Sequence, residues 1–99
     1  MKMVRALLIA ILLLSAANVG AEQQFISNIK VVQIGAYQHS PGHFVWFSIA
    51  LPGCASTPSF DESRPGGKAL LTLLTTALVG GRKVDVRYQA CDITEIYLK

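Results

Sequence analysis

Two histidines, His39 and His43, stand four residues apart and are the only histidines in the chain. On a helix this spacing would place both imidazoles on one face, where they could ligate one metal ion. Pro41 and Gly42 lie between them, however, and these residues favour a turn. No third ligand is near in the sequence, so the pair is interpreted as part of an exposed turn. We expect no metal and no other cofactor.

Residues for catalysis are present without the patterns that catalysis needs. Ser40, His43 and Asp61 could supply a nucleophile, a base and an acid, but the chain has no Gly-x-Ser-x-Gly nucleophile turn. Asp61 and Glu62 are adjacent, whereas glycoside hydrolysis needs two carboxylates that face each other across a cleft. We interpret these two acids as residues at a helix start, where the helix dipole favours negative charge. The sequence therefore predicts that the protein is not an enzyme.

Aromatic side chains are the remaining candidates for recognition, because aromatic faces stack on sugars as they do on bases. Tyr37 and Tyr97 lie near a strand end or on a polar row, so we expect both to be exposed. Trp46 lies within the most apolar segment, which favours packing in the core. Tyr37, Trp46 and Tyr97 are nevertheless the candidate ligand-binding residues.

Cys54 and Cys91 are the only cysteines, and 36 residues lie between them. In an oxidising compartment a single pair predicts one disulfide. Closing a loop of this length stabilises a fold by roughly 4 kcal/mol in the chain-entropy model. A free thiol pair and an intermolecular bridge are the alternatives. Two isolated cysteines lack the paired spacing of a zinc site.

Residues 1–21 have the order of a secretory signal peptide: two basic residues, an apolar run of nine residues, then small residues. The run is shorter than the roughly 20 apolar residues that span a bilayer. Cleavage after Ala21, or alternatively after Ala17, would release a secreted or periplasmic protein. Cleavage after Ala21 leaves residues 22–99 as one small domain, and we expect no membrane span in it.

Removal of Lys2 and Arg5 with this segment changes the charge argument. The whole chain has nine Lys and Arg against six Asp and Glu, a net charge of +3, so loss of two bases leaves seven against six, or +1. The remaining bases are scattered and interleaved with acids. A nucleic-acid partner needs a concentrated basic surface, so the composition argues against one.

The pattern after residue 21 predicts the order strand, strand, weak strand, helix, strand, strand. The predicted strands are 28–37, 44–51, a weak one near 59–60, 83–90 and 93–99. A turn at 39–43 joins the first two, and Gly35 marks a bulge or a close approach. Leucines at helical spacing predict a helix that ends at Gly80 and Gly81. In the fourth strand, alternate residues from Val84 to Ala90 are expected to face the core.

This order predicts a mainly β member of the α+β class. It is that of a small, five-stranded, partly open barrel of the OB type, with one helix between strands three and four. A plain α+β sandwich of four strands and one helix is the alternative.

The segment from Lys68 to Tyr88, with Cys91-Asp92 and Ile96-Tyr97-Leu98 after it, resembles a group of small secreted bacterial proteins of unknown function. They share a leucine-rich helix, a Gly-Lys-x-Val strand and a late cysteine. The same layout resembles the B subunits of bacterial A–B toxins, most closely the subtilase cytotoxin type, which are OB-fold pentamers that bind cell-surface glycans. The resemblance implies the OB fold. It transfers no site, because the chain has no glycan-binding motif that matches residue by residue.

Two classes of function remain. The first is an exported binding or assembly module, oligomeric and with a glycan or protein ligand. Thr72, Thr75 and Thr76 would give its helix a second face against a neighbouring copy. The second is a monomeric exported domain, structural or inhibitor-like, without a ligand site.

Overall fold

The computed structural model describes residues 22–99 and places them in five strands and one helix. The elements are β1 Gln23–Tyr37, β2 Ser40–Phe47, β3 Ser59–Asp61, α1 Gly67–Gly80, β4 Lys83–Gln89 and β5 Asp92–Leu98. The predicted signal peptide lies outside the described residues. Within residues 22–99, no helix has the length and apolar character needed to cross a membrane.

The strands form one closed barrel in the order β1-β2-β3-β5-β4. Closure depends on β1, which pairs with both β2 and β4. All neighbouring strands are antiparallel except β3 and β5, whose parallel seam consists of one residue pair, Ser59 with Asp92. The helix lies between the third and fourth strands in the chain. The predicted fold class, a small, mainly β member of the α+β class with a five-stranded barrel and one helix, is confirmed, although the barrel is closed and not partly open.

The first strand begins at Gln23, five residues before the predicted start. Its first part, Gln23 to Ile26, pairs with the end of β4. Its second part pairs with the start of β4 through Ile29 and Lys30 and with β2 from Val31 onward. Asn28 joins the two parts with a positive φ of 59°, and its backbone N–H donates to Asp85 Oδ1 at 3.0 Å. The residues before the predicted start belong to the strand because they pair with β4, which is distant in the sequence.

The second strand runs from Ser40 to Phe47, so the turn predicted at 39–43 is wrong. The turn is Gln38 and His39 alone. Pro41 lies at the start of the strand, where a residue without a backbone N–H is tolerated, and its carbonyl accepts the backbone N–H of Glu62 at 3.0 Å. The strand also ends before the predicted limit, and residues 48–58 form a loop.

The core lies inside the barrel and beneath α1. Its fully buried side chains are Tyr88, Leu74, Val45, Val84 and Val86. The predicted alternation in β4 is confirmed from Val84 to Tyr88. It is wrong for Ala90, which is exposed in a turn with a φ of 53°. The helix packs its leucine stripe against the core. Gly81 follows its last residue and forms the predicted cap with a left-handed φ of 62°.

Candidate functional site

Three aromatic side chains form a continuous row on the outer surface of β1 and β2, which we call the aromatic strip: Tyr37, Phe44 and Trp46. The ring of Phe44 meets Tyr37 edge-on at 5.4 Å between centroids and lies 6.5 Å from the ring of Trp46. Tyr37 is 59% exposed and Trp46 is 40% exposed. The structure thus brings two of the three predicted ligand-binding residues onto one surface.

The strip exists because β2 does not sort its side chains by polarity: the side chains of one face enter the core even where they are polar, and aromatic rings occupy the outer face. His43 and Val45 point inward and are buried, while Phe44 and Trp46 point outward. The expectation that Trp46 packs in the core is therefore wrong. Gly35 makes room for it, since a Cβ at this position would lie 3.2 Å from Trp46 Cζ3. The close approach predicted at Gly35 is thereby confirmed.

Both ends of the strip carry polar atoms that can receive a ligand. Within residues 22–99, neither the Tyr37 hydroxyl nor the Trp46 indole N–H makes a hydrogen bond to another side chain or to the backbone. A tyrosine hydroxyl both donates and accepts, and an indole N–H donates. The strip therefore offers stacking faces together with unpaired hydrogen-bonding groups.

A cavity of about 270 Å³ opens beside Trp46, and we call it the Trp46 cavity. Its lining consists of Trp46, Phe47, Ser48, Ile49, Ala50, Leu51, Cys54, Ser56, Thr57 and Pro58. All of these side chains are uncharged. Apart from the two strand residues, the whole lining comes from the loop 48–58, so the shape of the cavity depends on how that loop is held.

Three anchors hold the loop 48–58 on the barrel. Leu51 is buried in the core. The carbonyl of Pro52 accepts a hydrogen bond from the buried Tyr88 hydroxyl. The third anchor is the predicted disulfide, because Cys54 and Cys91 are bonded with their Cα atoms 4.8 Å apart.

A second cavity, of about 170 Å³, lies at the other end of the strip and is called the charged cavity. Its lining consists of Tyr37, Ser40, Gly42, His43, Phe44, Ser59, Phe60, Asp61, Arg64 and Asp92. Arg64 Nη1 already pairs with Asp92 Oδ2 at 3.1 Å. The two carboxylates outnumber the single guanidinium, so this end does not attract anions.

Ser40, His43 and Asp61 all line the charged cavity, but no hydrogen bond joins them. Ser40 Oγ accepts the backbone N–H of Gly42 at 3.1 Å. Asp61 Oδ1 accepts the backbone N–H and the hydroxyl of Ser63 at 2.8 and 2.6 Å, and these bonds lower the pKa of Asp61. The three side chains are thus held by other groups.

His43 differs from the exposed turn residue that was predicted. It is only 7% exposed, it stacks on Phe60 with 5.1 Å between ring centroids, and its Nε2 lies 3.2 Å from Glu62 Oε1. Among residues 22–99 neither imidazole nitrogen of His43 has a hydrogen-bond partner, and the approach to Glu62 is an ion pair only when the imidazole is protonated. His39 is exposed in the turn. Within residues 22–99, no three potential metal ligands come together.

Asp61 and Glu62 do not flank the helix start as expected. Asp61 ends β3, Glu62 faces His43, and α1 begins only at Gly67 with no acidic residue in its first turn. Gly67 is buried against the backbone of Asp61 and Glu62, where a Cβ would clash. The close packing of these two backbone segments fixes the helix on the barrel instead.

Tyr97, the third predicted ligand-binding residue, lies in a different group, which we call the charged cluster: Phe25, Arg87, Glu95 and Tyr97. Its hydroxyl donates to Glu95 Oε1 at 2.8 Å, and that bond raises the pKa of Tyr97. Arg87 pairs with Glu95 and lies 5.3 Å above the ring of Phe25. The cluster is exposed, but the polar atoms that face each other in it are paired.

Comparison with protein-family models, with curated proteins and with solved structures finds no match for the chain. The site is therefore assigned from its geometry. Phe44 was missing from the predicted site, although it joins the two aromatic residues that were predicted. Its position opposite Gly35 in the β1–β2 register is the signal that could have indicated it.

Proposed function

We propose that the protein is an exported, non-catalytic binding module that holds a glycan on the aromatic strip. The observation that supports this most strongly is the row of Tyr37, Phe44 and Trp46 on the sheet surface, in which the two outer rings are exposed and both neighbour the ring of Phe44. Stacked aromatic faces bind the apolar faces of sugar rings, and the unpaired hydroxyl and indole N–H supply hydrogen bonds to sugar hydroxyls.

The position of the strip in the barrel supports the same function. OB-type barrels bind oligonucleotides and oligosaccharides near the second strand and the loop between the first two strands. Tyr37 ends β1 beside that loop, and Phe44 and Trp46 lie on β2. Nucleic acid is the less suitable ligand, because binding phosphates needs several Lys or Arg side chains that are free of carboxylate partners. The basic side chain that lines the adjoining cavity, Arg64, is paired with a carboxylate.

A binding role also suits the absence of an organised catalytic set among residues 22–99. The charged cavity holds Ser40, His43 and Asp61, yet their polar atoms are bonded to other groups or lack the alignment that proton transfer needs. Export is supported by the Cys54–Cys91 disulfide, since such bonds persist in oxidising compartments.

The proposal includes self-association through the outer face of α1. The hydroxyls of Thr72 and Thr76 donate to backbone carbonyls one turn earlier, at 3.0 and 2.8 Å, and both residues are exposed. Val79 continues this face and is 82% exposed. A face this poor in charge is unusual for a helix in water, and several copies would present several strips to one glycan surface.

The test is a glycan array probed with the exported protein and with its Trp46→Ala variant. Binding to a defined set of glycans by the wild type, lost in the variant, is the expected result. Trp46→Phe is the matched control, because it keeps an aromatic face and should retain part of the binding. Native mass spectrometry of the same samples reports the number of copies.

An array without any binder would reject the glycan function. Binding that survives Trp46→Ala would reject the strip as its location. A monomer in native mass spectrometry would remove self-association and leave glycan binding in place.

A further inference from the structure

We propose that the Trp46 cavity receives the N-acetyl group of an uncharged amino sugar whose ring stacks on Trp46. This inference depends on the proposed glycan function and specifies which glycans are bound. It makes the loop 48–58 the element that determines specificity, whereas the strip supplies general affinity.

The first argument is continuity and size. Trp46 is both the end of the aromatic strip and a wall of the cavity. A sugar ring that lies on Trp46 therefore points its substituents toward the cavity. The volume of about 270 Å³ is slightly below the roughly 300–1,000 Å³ of sites that enclose a whole small ligand. The cavity consequently suits one substituted sugar unit of a longer chain.

The second argument is charge. The lining of the Trp46 cavity contains no acid and no base. A carboxylate, sulfate or ammonium group placed there would lose water without gaining a counter-charge, which is costly. The charged cavity at the other end of the strip offers no attraction to anions either, because Arg64 is paired with Asp92. The glycan is therefore uncharged in the Trp46 cavity and carries no anionic group at the other end of the strip.

The third argument is the mixture of surfaces within the cavity. Ile49, Leu51 and Pro58 present apolar atoms, and Ser56 and Thr57 lie beside them with hydroxyl groups. An N-acetyl group matches this mixture, because its methyl group is apolar and its amide both donates and accepts hydrogen bonds. A ring hydroxyl in the same place would leave the apolar wall without contacts, which loses dispersion energy.

The experiment compares two trisaccharides with the same β1→4 linkage by titration calorimetry. Tri-N-acetylchitotriose carries an acetamido group at C2 of each ring, and cellotriose carries a hydroxyl there. The exported wild-type protein should bind the acetylated trisaccharide about 10-fold more tightly or better, the usual effect of filling a small apolar pocket. Equal affinity, or a preference for cellotriose, overturns the inference and leaves the proposed glycan function intact.

Ala50→Phe tests the cavity itself, because Ala50 lines it and is exposed, so a larger side chain fills it without disturbing the core. This variant should bind both trisaccharides with equal affinity. Ala69→Phe is the matched control, since Ala69 is exposed on α1 away from the Trp46 cavity, and it should keep the wild-type preference. A preference that survives Ala50→Phe overturns the inference.

Failure to bind either trisaccharide has two meanings that the array separates. If the array shows binding to other glycans, the N-acetyl inference is overturned alone. If the array shows no binding at all, the proposed function fails and the inference fails with it.

Discussion

The barrel carries two groups of exposed aromatic side chains, and they differ in whether their polar atoms are bonded to other side chains. In the charged cluster, Arg87 and Tyr97 both bond to Glu95, and Phe25 lies beneath the guanidinium. In the aromatic strip, the hydroxyl of Tyr37 has no such partner. A ligand on the cluster would have to replace existing bonds, whereas a ligand on the strip only replaces water. Exposure of aromatic rings is therefore insufficient to identify a binding surface.

The loop beside the strip is anchored by the disulfide, whereas the charged cluster lies on the paired strands β4 and β5. Removal of the disulfide is therefore the strongest test of the difference between the two regions. Replacing Cys54 and Cys91 together by serine should lower the free energy of unfolding by about 4 kcal/mol. Denaturant titration measures the loss. Hydrogen exchange should speed up in the loop 48–58 beside the strip, while the β4–β5 pairing under the charged cluster stays protected.

Wild-type protein under reducing conditions is the control for this double variant and should behave in the same way. Equal acceleration of exchange beside the strip and beneath the cluster would show that the disulfide has no preferential role at the strip.

Two phenylalanines allow the same substitution in each region. Phe44→Ala should weaken glycan binding by about 10-fold, because Phe44 holds the rings on both sides of it and each aromatic contact contributes about 0.5–1.5 kcal/mol. Phe25→Ala should leave the affinity unchanged. Calorimetry with a glycan found on the array measures both, and a larger effect of Phe25→Ala would reverse our assignment of the two regions.

The ion pair in the charged cluster should contribute little to stability. Arg87 and Glu95 are both about two-fifths exposed, and exposed pairs contribute at most about 1 kcal/mol. A double-mutant cycle with Arg87→Met and Glu95→Gln should give a coupling energy in that range, and it should shrink at high salt. Glycan affinity should be the same in all four proteins of the cycle.

The smallest effect concerns the titration of Tyr97. Hydrogen bonding to Glu95 and its negative charge raise the pKa of Tyr97, since both favour the neutral phenol. The resulting stabilisation is present below the usual tyrosine pKa of about 10 and is lost as the pH rises through the raised value. Ultraviolet titration should show one tyrosine shifting to a lower pKa in Glu95→Gln. An unchanged titration curve would contradict the Glu95–Tyr97 bond.

The fold was predictable because its signals are local or unique. Turn residues and helical spacing gave the element order, and two cysteines allow only one intramolecular pairing. The start of β1 was missed because Gln23 and Gln24 resemble a polar lead. Their strand character comes from pairing with Gln89 and Tyr88, which no local pattern reveals.

The aromatic strip was harder to predict because β2 points a polar side chain inward and apolar rings outward. His43 faces inward, and two large aromatic side chains face outward. In the sequence, the segment from His43 to Phe47 is apolar apart from its histidine, so nothing in it indicates which side chains face outward. Inside the barrel the histidine ring stacks on Phe60, and its Nε2 lies 3.2 Å from Glu62 Oε1. Both partners come from β3 and the residue after it, and their proximity to His43 follows only from the three-dimensional pairing.

The pairing of Gln23 with Gln89 has a consequence for the time at which the barrel can form. Synthesis proceeds from the N-terminus, so the first strand emerges from the ribosome while the strand that must cover its beginning is still untranslated. Most of the chain has to be available before the barrel closes, and contacts between distant residues form slowly. Until β4 has been synthesised, the backbone N–H and C=O groups at the start of β1 lack their native partners, as those of an edge strand do.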